Sequence, residues 1–400
     1  MTAPVPDPAL VERVRAAAVA ELRMAGDAVG REGVAAAAAR VLARDRHILG
    51  GAVRDRLLEA VADAALGLGP LERLMRDPAV TEIMVCRHDR VFVERDGRVE
   101  AAEAGFADAA HVLHVVDRIL APLGRRVDES SPMVDARLPD GSRVNVVIPP
   151  LAVDGPAVTI RRFGARPLTA DDLVERGTLT AEALRLLEDA VAARRNVLVT
   201  GGTGSGKTTT LAALAGAIPA RERVVTIEDA AELRLPLPHV VRLESRPASL
   251  EGRGAVPIRA LVRNALRMRP DRIVIGEVRG GEALDMLAAM TTGHEGSLST
   301  LHASSPADAL RRLQLLALMG DLELPWQAVA EQVAAAIDLV VHQARLPDGR
   351  RRILEVCALP RAAGGGGPVA LARLQGDRLV LTDAAVPWHR ALGRPRDASA

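Results

Sequence analysis

The sequence is poor in aromatic residues, cysteine and lysine. Its 400 residues include no tyrosine, three phenylalanines, two tryptophans and two cysteines. The core must therefore consist of Leu, Val, Ile and Ala side chains, and 48% of the chain is apolar. Cys86 and Cys357 lie far apart, and neither belongs to a C-x-x-C motif. We expect reduced structural thiols in a cytoplasmic protein and no zinc site.

Long apolar runs and a strong charge of either sign are also missing. No uncharged apolar stretch reaches about 18 residues, and the opening MTAPVPDPALVERVR has no apolar signal core. We expect no transmembrane segment, and association with the inner face of the cytoplasmic membrane only through partners. The net charge is +1, and few aromatic side chains could stack on bases. A nucleic-acid partner is therefore not expected.

The chain divides into four segments by composition and periodicity. Residues 1–65 are alanine-rich with helical spacing, and they predict a helical extension that either docks a partner or packs on its own chain. Short strands and helices over 66–165 predict an α+β domain. Residues 166–360 begin with a polar linker and continue in an α/β pattern. Residues 361–400 contain a glycine-rich break and a tail.

The segment 166–360 carries a nucleotide-binding signature. Residues 197–210 read VLVTGGTGSGKTTT, which is G-x-x-x-x-G-K-[ST] between a predicted buried strand and a predicted helix. Glycines let backbone N–H groups face a phosphate, and the helix N-terminus adds partial positive charge. We expect Lys207 to bind the β- and γ-phosphates of ATP, and Thr208 to bind Mg²⁺. The predicted nucleotide-binding residues are Gly201, Gly202, Thr203, Gly204, Ser205, Gly206, Lys207, Thr208 and Thr209.

Lys207 is the only lysine among 52 basic residues. The arginine bias of the chain has replaced lysine at every other position. A planar, forked guanidinium does not fit where a narrow ammonium is required, which explains the exception.

Three further predicted strands each end in an acidic residue or a histidine. Glu228 and Asp229 follow the strand 224–227, and Glu277 follows 273–275. His302 ends a short strand that His294 precedes. Because the carboxyl ends of parallel strands meet at the edge where the phosphate-binding loop lies, we expect these side chains to converge on one phosphate.

Hydrolysis requires a carboxylate that orients and deprotonates water, and we assign this role to Glu277. The residue before it is Gly276, where an Asp would be usual in a Walker B strand. The Mg²⁺-associated acid is therefore expected to be Glu228, with Asp229 as the second candidate. His294 and His302 either sense the γ-phosphate, link it to a neighbouring subunit, or have structural roles.

Several arginines precede the nucleotide-binding segment. They either form a solvated face, or one or two of them reach a γ-phosphate from outside the domain that holds the phosphate-binding loop. They are Arg137, Arg143, Arg161 and Arg162.

Taken together, these motifs resemble those of the Tad/Flp pilus assembly ATPases, which belong to the type II/type IV secretion ATPase superfamily. The resemblance covers about residues 68–360. Its motifs are GGTGSGKTTTLAALAGAIP, TIEDAAELRL, HVVRLESRP, LVRNALRMRPDRIVIGEVRGGEALDMLAAMTTGHEGSLSTLHA and VDARLPDGSRVNVVIPP. It implies a cytoplasmic hexamer in which each subunit has a PAS-like N-terminal domain, a RecA-like C-terminal domain, and ATP between them. Hydrolysis would power assembly, and in some members retraction, of a pilus through inner-membrane platform proteins.

The resemblance also implies roles for particular residues. Glu228 belongs to the Asp box and Glu277 to Walker B, and both serve hydrolysis. His294 and His302 form the His box. Arg143 in DGSRVN and Arg161 in TIRRF match arginines that contact the γ-phosphate in the superfamily.

Three other functions are considered. A conjugation-type type IV secretion ATPase would share all four motifs, although the alanine-rich helices and the LRMRPDR and GEVRGGEALDML wording favour the Tad side. A RecA-like nucleic-acid motor would need aromatic side chains that this chain lacks. A scaffold that binds ATP without turnover is disfavoured because Glu228 and Glu277 are present.

Overall fold

The computed structural model describes residues 7–25, 30–45, 50–95, 97–162, 167–246, 254–320, 324–360 and 367–392. Its contacts divide the chain into two compact units, Met1–Ala165 and Arg166–Ala400. The boundaries predicted at 165/166 and 360/361 fall at residues 163–166 and 361–366, which lie outside the described residues. These boundaries stay predictions.

The first unit opens with a bundle of three helices: α1 (Pro8–Ala25), α2 (Arg31–Arg44) and α3 (Gly51–Leu66). Small side chains at the contacts allow the helices to approach closely. The buried alanines of the bundle core are Ala18, Ala37, Ala38, Ala62 and Ala64. The alanine-rich pattern therefore serves packing of these helices on one another.

Among the described residues, the rest of the first unit is an antiparallel sheet with two α-helices. The elements are α4 (Glu72–Arg76), β1 (Val80–Arg87), β2 (Arg90–Arg95), β3 (Arg98–Ala101), α5 (Ala109–Leu120), β4 (Met133–Arg137), β5 (Arg143–Val147) and β6 (Ala157–Arg161). The strand order is β3-β2-β1-β6-β5-β4. Alternate residues of the sheet, such as Val144 and Val146, share a core with Val112 and Ile119 of α5. The predicted α+β architecture is confirmed.

The second unit is built on one sheet flanked by helices. Its described helices are α6 (Ala170–Glu175), α7 (Ala181–Ala192), α8 (Lys207–Ala215), α9 (Ile258–Ala265), α10 (Glu282–Thr291), α11 (Pro306–Leu318), α12 (Trp326–Ala336) and α13 (Ala385–Ala391). Its described strands are β7 (Val197–Gly201), β8 (Val224–Glu228), β9 (Val240–Glu244), β10 (Arg272–Ile275), β11 (Leu298–His302), β12 (Leu339–Arg345), β13 (Arg351–Ala358), β14 (Val369–Gln375) and β15 (Arg378–Leu381). The strand order is β15-β14-β13-β12-β7-β11-β10-β8-β9.

The strand β7 lies inside the parallel part of this sheet, between β11 and β12. Its residues alternate between two apolar layers: Val197 and Val199 face one, and Leu198 faces the other. A strand buried on both faces reads as a continuous apolar run, which is why the sequence predicted it. The α/β, RecA-like fold class is confirmed.

The residues after the glycine run extend the same sheet. The strand β14 pairs with β13, and β15 pairs with β14. The helix α13 packs beside α7, where His389 Nε2 lies 2.6 Å from Asp189 Oδ2. Residues 367–392 are therefore part of the second unit.

The amino ends of β7, β11 and β12 are joined by the buried side chain of Asn196. Its Nδ2 donates to the carbonyl oxygens of Met290 at 3.1 Å and Ala336 at 2.5 Å. Its Oδ1 accepts from the backbone N–H groups of Gly296 at 2.7 Å and Ser297 at 3.1 Å. One side chain thus satisfies four backbone groups where three strands begin.

Replacing Asn196 with alanine is expected to lower the free energy of unfolding of the second unit by about 3 kcal/mol, because four buried backbone groups lose their partner. Denaturant unfolding followed by circular dichroism measures the change. The matched control is Asn264→Ala, since Asn264 is exposed on α9, and it should shift stability by no more than about 0.5 kcal/mol. Equal effects of both substitutions would contradict this account.

Candidate functional site

The phosphate-binding loop lies between the end of β7 and the start of α8. Gly202, Thr203 and Gly204 are exposed at its lip, whereas Ser205 and Lys207 are buried. Gly201 has a φ of 151°, and a Cβ there would collide with the carbonyl oxygen of Gln343. Only glycine therefore fits at this turn between strand and loop.

A continuous chain of polar side chains runs from Lys207 along the carboxyl edge of the sheet. Lys207 Nζ lies 3.0 Å from the Gly202 carbonyl oxygen and 3.4 Å from both ring nitrogens of His302. His302 Nε2 lies 2.5 Å from Glu277 Oε1. Arg279 Nε donates to Glu277 Oε2 at 2.7 Å. The structure thus brings Lys207, His302 and Glu277 together, as the sequence predicted.

Arg279 continues this chain to the next strand, since its NH1 lies 3.4 Å from Asp229 Oδ2. The sequence did not single out Arg279. Its position two residues after Glu277, in the same loop, was the available signal.

The electrostatics of this edge favour a neutral His302. Burial lowers the pKa of His302, Lys207 lowers it further, and Glu277 opposes the change. His302 lies between the Lys207 ammonium and the Glu277 carboxylate and contacts both.

Glu228 is placed differently from the other acids. Its buried carboxylate accepts hydrogen bonds from the backbone N–H groups of Glu232 and Leu233, both at 3.0 Å. Gly276 packs against it, since a Cβ at position 276 would lie 2.7 Å from Glu228 Cγ. An Asp at position 276 would therefore displace Glu228, which explains the glycine. In the structure the Glu228 carboxylate is hydrogen-bonded to the loop that follows β8. Its metal role stays a prediction.

The stability of the protein should depend on pH through Glu228. Burial raises the pKa of Glu228 from 4.5 to about 7, although the hydrogen bonds from Leu233 and Glu232 oppose this. The folded state therefore holds a proton that the unfolded state releases above about pH 4.5. The contribution of Glu228 to the free energy of unfolding therefore falls by up to about 3 kcal/mol as the pH rises from about 5 to 7.

Glu228→Gln should remove this pH dependence, because the amide oxygen still accepts from the loop but cannot ionise. We expect the variant to be more stable than the parent at pH 8 and similar at pH 5, as measured by thermal unfolding at both pH values. A parent that gains stability relative to the variant between pH 5 and 8 would contradict the burial argument.

His294 does not lie at this edge. Leu298, four residues after it, pairs with Val197 at the amino end of β7, and His302 pairs with Gly201 at the carboxyl end. The four steps of strand from Leu298 to His302, about 13 Å, separate the two edges. The expectation that both histidines approach the phosphate-binding loop of their own chain is therefore wrong for His294. A role toward a neighbouring subunit stays a prediction.

The predicted arginines lie in the first unit, where three of them form one row. Cross-strand pairing sets Arg161 opposite Arg143, and Arg143 opposite Arg137. Directly opposite residues share a face, and like charges there are unfavourable. Glu82 is opposite Arg161 at the end of the row. Arg162 faces elsewhere and donates to the Val80 carbonyl oxygen at 2.9 Å.

The loop fits a nucleotide phosphate with Mg²⁺. Thr208 and Thr209 are half-buried in the first turn of α8, beside the exposed lip. Among the described residues, no three His, Cys, Asp or Glu side chains form a metal site. Mg²⁺ commonly takes one or two protein ligands and completes its shell with phosphate oxygens and water. The Thr208 hydroxyl, in the first turn of α8, is a ligand of the kind that such a shell includes.

Two supporting residues escaped the sequence analysis. Gln343 Nε2 donates to the Ser205 carbonyl oxygen at 2.6 Å, and Arg351 Nε donates to the Gly204 carbonyl oxygen at 3.1 Å. Both come from the hairpin of β12 and β13. The available signal was a polar pair, His342 and Gln343, inside the apolar run of β12.

A glycine-rich loop between a central parallel strand and a helix, with acids from two other strands of the sheet at the same edge, is the arrangement of P-loop nucleotide-binding proteins. The family model for type II/IV secretion system proteins matches residues 64–359. The chain belongs to this family.

Curated relatives agree with that assignment. The Mycobacterium tuberculosis protein Rv3659c, provisionally named a conjugal transfer protein, is 40% identical over 342 residues, which cover 84% of this chain and 92% of that protein. The conjugal transfer protein TrbB of Rhizobium radiobacter is 37% identical over 280 residues, covering 69% and 82%.

A solved structure shares the fold. The Legionella pneumophila ATPase DotB matches with a TM-score of 0.52 and 23% identity, over 72% of this chain and 80% of that one. In the part of this chain that the structure describes, no helix is long and apolar enough to cross a membrane.

Proposed function

We propose that this protein is the ATP-hydrolysing motor of a type II/IV secretion machine. The observation that carries the proposal is the chain of contacts joining Lys207, His302 and Glu277 at the carboxyl edge of the sheet. A scaffold that only binds nucleotide would not need a carboxylate held at this position. The expected reaction is hydrolysis of ATP to ADP and phosphate.

One set of residues binds the phosphates, and another positions and deprotonates the attacking water. Lys207 and the loop N–H groups neutralise and orient the β- and γ-phosphates. Glu277 orients the attacking water and accepts its proton, and Arg279 and His302 hold the carboxylate in place. Thr208 would hold Mg²⁺ directly and Glu228 or Asp229 through water, and the ion would neutralise phosphate charge.

Arg143 and Arg161 are proposed to act on the γ-phosphate as a pair. Cross-strand pairing sets the two arginines side by side on one face of the sheet, so a single phosphate can contact both. Arg143→Ala and Arg161→Ala should each lower kcat/KM for ATP by about tenfold or more. A steady-state ATPase assay measures this, with Arg98→Ala on the exposed β3 strand as the control. Retention of both kcat and ATP affinity would assign the two arginines to a solvated face.

The working form is proposed to be a cytoplasmic homo-hexamer that acts through inner-membrane platform proteins. Family membership supports a role in secretion. The names of the relatives favour a conjugation-type type IV secretion motor. The GEVRGGEALDML motif and the alanine-rich bundle favour assembly, or retraction, of a Tad/Flp-type pilus.

The deciding experiment is a pulldown of the Glu277→Gln protein with ATP from its native membranes. This variant should retain ATP and so hold its partners. Recovery of an integral platform protein of a pilus machine would support the Tad/Flp assignment, and recovery of conjugation-channel components would support the conjugation type. Recovery of nucleic acid alone, or a parent that fails to hydrolyse ATP, would overturn the proposed motor.

A further inference from the structure

Side chains hold three carbonyl oxygens of the phosphate-binding loop. The Gly202 oxygen accepts from Lys207 Nζ at 3.0 Å and from Ser205 Oγ at 2.9 Å. The Gly204 oxygen accepts from Arg351 Nε at 3.1 Å. The Ser205 oxygen accepts from Gln343 Nε2 at 2.6 Å. Two of the three carbonyls are therefore held from outside the loop, by a hairpin about 140 residues away in sequence.

Fixing a carbonyl also fixes a donor. In a planar trans peptide the C=O of one residue and the N–H of the next point in opposite directions. Holding the Ser205 carbonyl sets the direction of the Gly206 N–H. Holding the Gly204 carbonyl sets the direction of the Ser205 N–H, which donates to the Gly202 carbonyl oxygen at 3.4 Å and so closes the turn of the loop. Convergent N–H groups are what makes such a loop an anion site.

Gln343 is a buried residue whose side-chain amide reaches the loop. It is 1% exposed, and its strand pairs it directly with Gly201. Its Nε2 lies 3.3 Å from where a Cβ of Gly206 would stand. Its Oε1 is buried with no hydrogen-bond partner among the described residues. The amide thus leaves its acceptor unpaired while its donor holds the loop.

We infer that Gln343 and Arg351 are positioning residues that set the nucleotide affinity of the loop by holding its Ser205 and Gly204 carbonyls, and with them the course of the backbone and the direction of the Gly206 N–H. This inference rests on the proposed function, since it assigns these residues a role in binding the same nucleotide. Neither residue is assigned a contact with the nucleotide. Their effect should therefore fall on ADP and ATP alike, because both present an anionic diphosphate to the loop.

The test is titration calorimetry of Mg²⁺-ADP with the full chain and its variants. Arg351 is exposed, so the Arg351→Gln variant should fold normally. It should bind ADP about tenfold more weakly, because one charge-assisted hydrogen bond to the loop is lost. Arg351→Lys keeps a donor and should recover most of the affinity. Gln343→Glu keeps the shape but removes the donor, and it should weaken binding at least as much.

The control is Arg350→Gln, because Arg350 lies beside Arg351 but pairs with Asp348 and with Asp377 in the turn between β14 and β15. Its ADP affinity should equal that of the parent. In the ATPase assay Arg351→Gln should raise KM with little change in kcat, which a merely structural role would not produce. ADP affinity within twofold of the parent in folded Arg351→Gln protein would overturn the inference. A parent that binds no ADP would overturn the proposed function and this inference with it.

Discussion

Replacing Lys207 with arginine is expected to abolish ATP turnover, with kcat/KM falling at least about a hundredfold although the charge is kept. The side chain is 7% exposed, and its ammonium lies within 3.4 Å of the His302 ring and 3.0 Å of the Gly202 carbonyl oxygen. A guanidinium is wider and presents its donors in a rigid plane, so it cannot occupy that space without displacing His302. Because His302 also contacts Glu277, the substitution should displace the Glu277 carboxylate as well.

A phosphate-release assay measures the loss, and thermal unfolding establishes that the variant is folded. The matched control is Arg350→Lys, an exchange between the same two residue types at an exposed ion pair. That control should retain the parental rate. Near-normal turnover by the Lys207→Arg protein would show that the loop accepts either cation, and the steric argument would then fail.

Replacing Glu277 with glutamine should separate nucleotide binding from hydrolysis. The amide preserves the shape of the side chain but cannot accept a proton from water, so kcat should fall by a factor of about 100 to 10,000. ATP affinity should change little, because Lys207 and the loop N–H groups remain. The observation behind this expectation is the position of the carboxylate, held between His302 and Arg279 at the same edge as the loop.

Single-turnover kinetics together with nucleotide titration measure the two effects separately. Glu355→Gln is the control, because Glu355 lies on β13 and pairs with Arg373. It should leave both quantities unchanged. If Glu277→Gln retains the parental kcat, the role of proton acceptor moves to Glu228, and Glu228→Gln in the same assay should then lose turnover.

Local sequence patterns predicted most of the candidate site at the carboxyl edge of the sheet. The strands β7, β8 and β10 are short apolar runs buried on both faces, and each is followed directly by the residues that carry chemistry. Because a parallel sheet gathers the carboxyl ends of its strands, the meeting of Lys207, Glu277 and His302 could be inferred without coordinates.

Proximity in sequence misled in one case. His294 and His302 are eight residues apart, and they were grouped as one pair. The strand between them begins at Leu298, so the two histidines lie at opposite ends of it. The turn through Gly293 and Gly296, both with positive φ, decides this placement.

The sequence by itself determined the phosphate-binding loop, its single lysine and the acids and histidine at the neighbouring strand ends, because each depends on residues within one strand–loop–helix unit or one strand end. Tertiary structure alone decided why position 276 is glycine, since the neighbour that requires it is Glu228 on another strand. It also decided that Gln343 and Arg351 hold the loop, because that contact exists only once β12 pairs with β7. Pairing between strands so distant in the chain is set by the burial of whole faces of the sheet, and no local pattern records it.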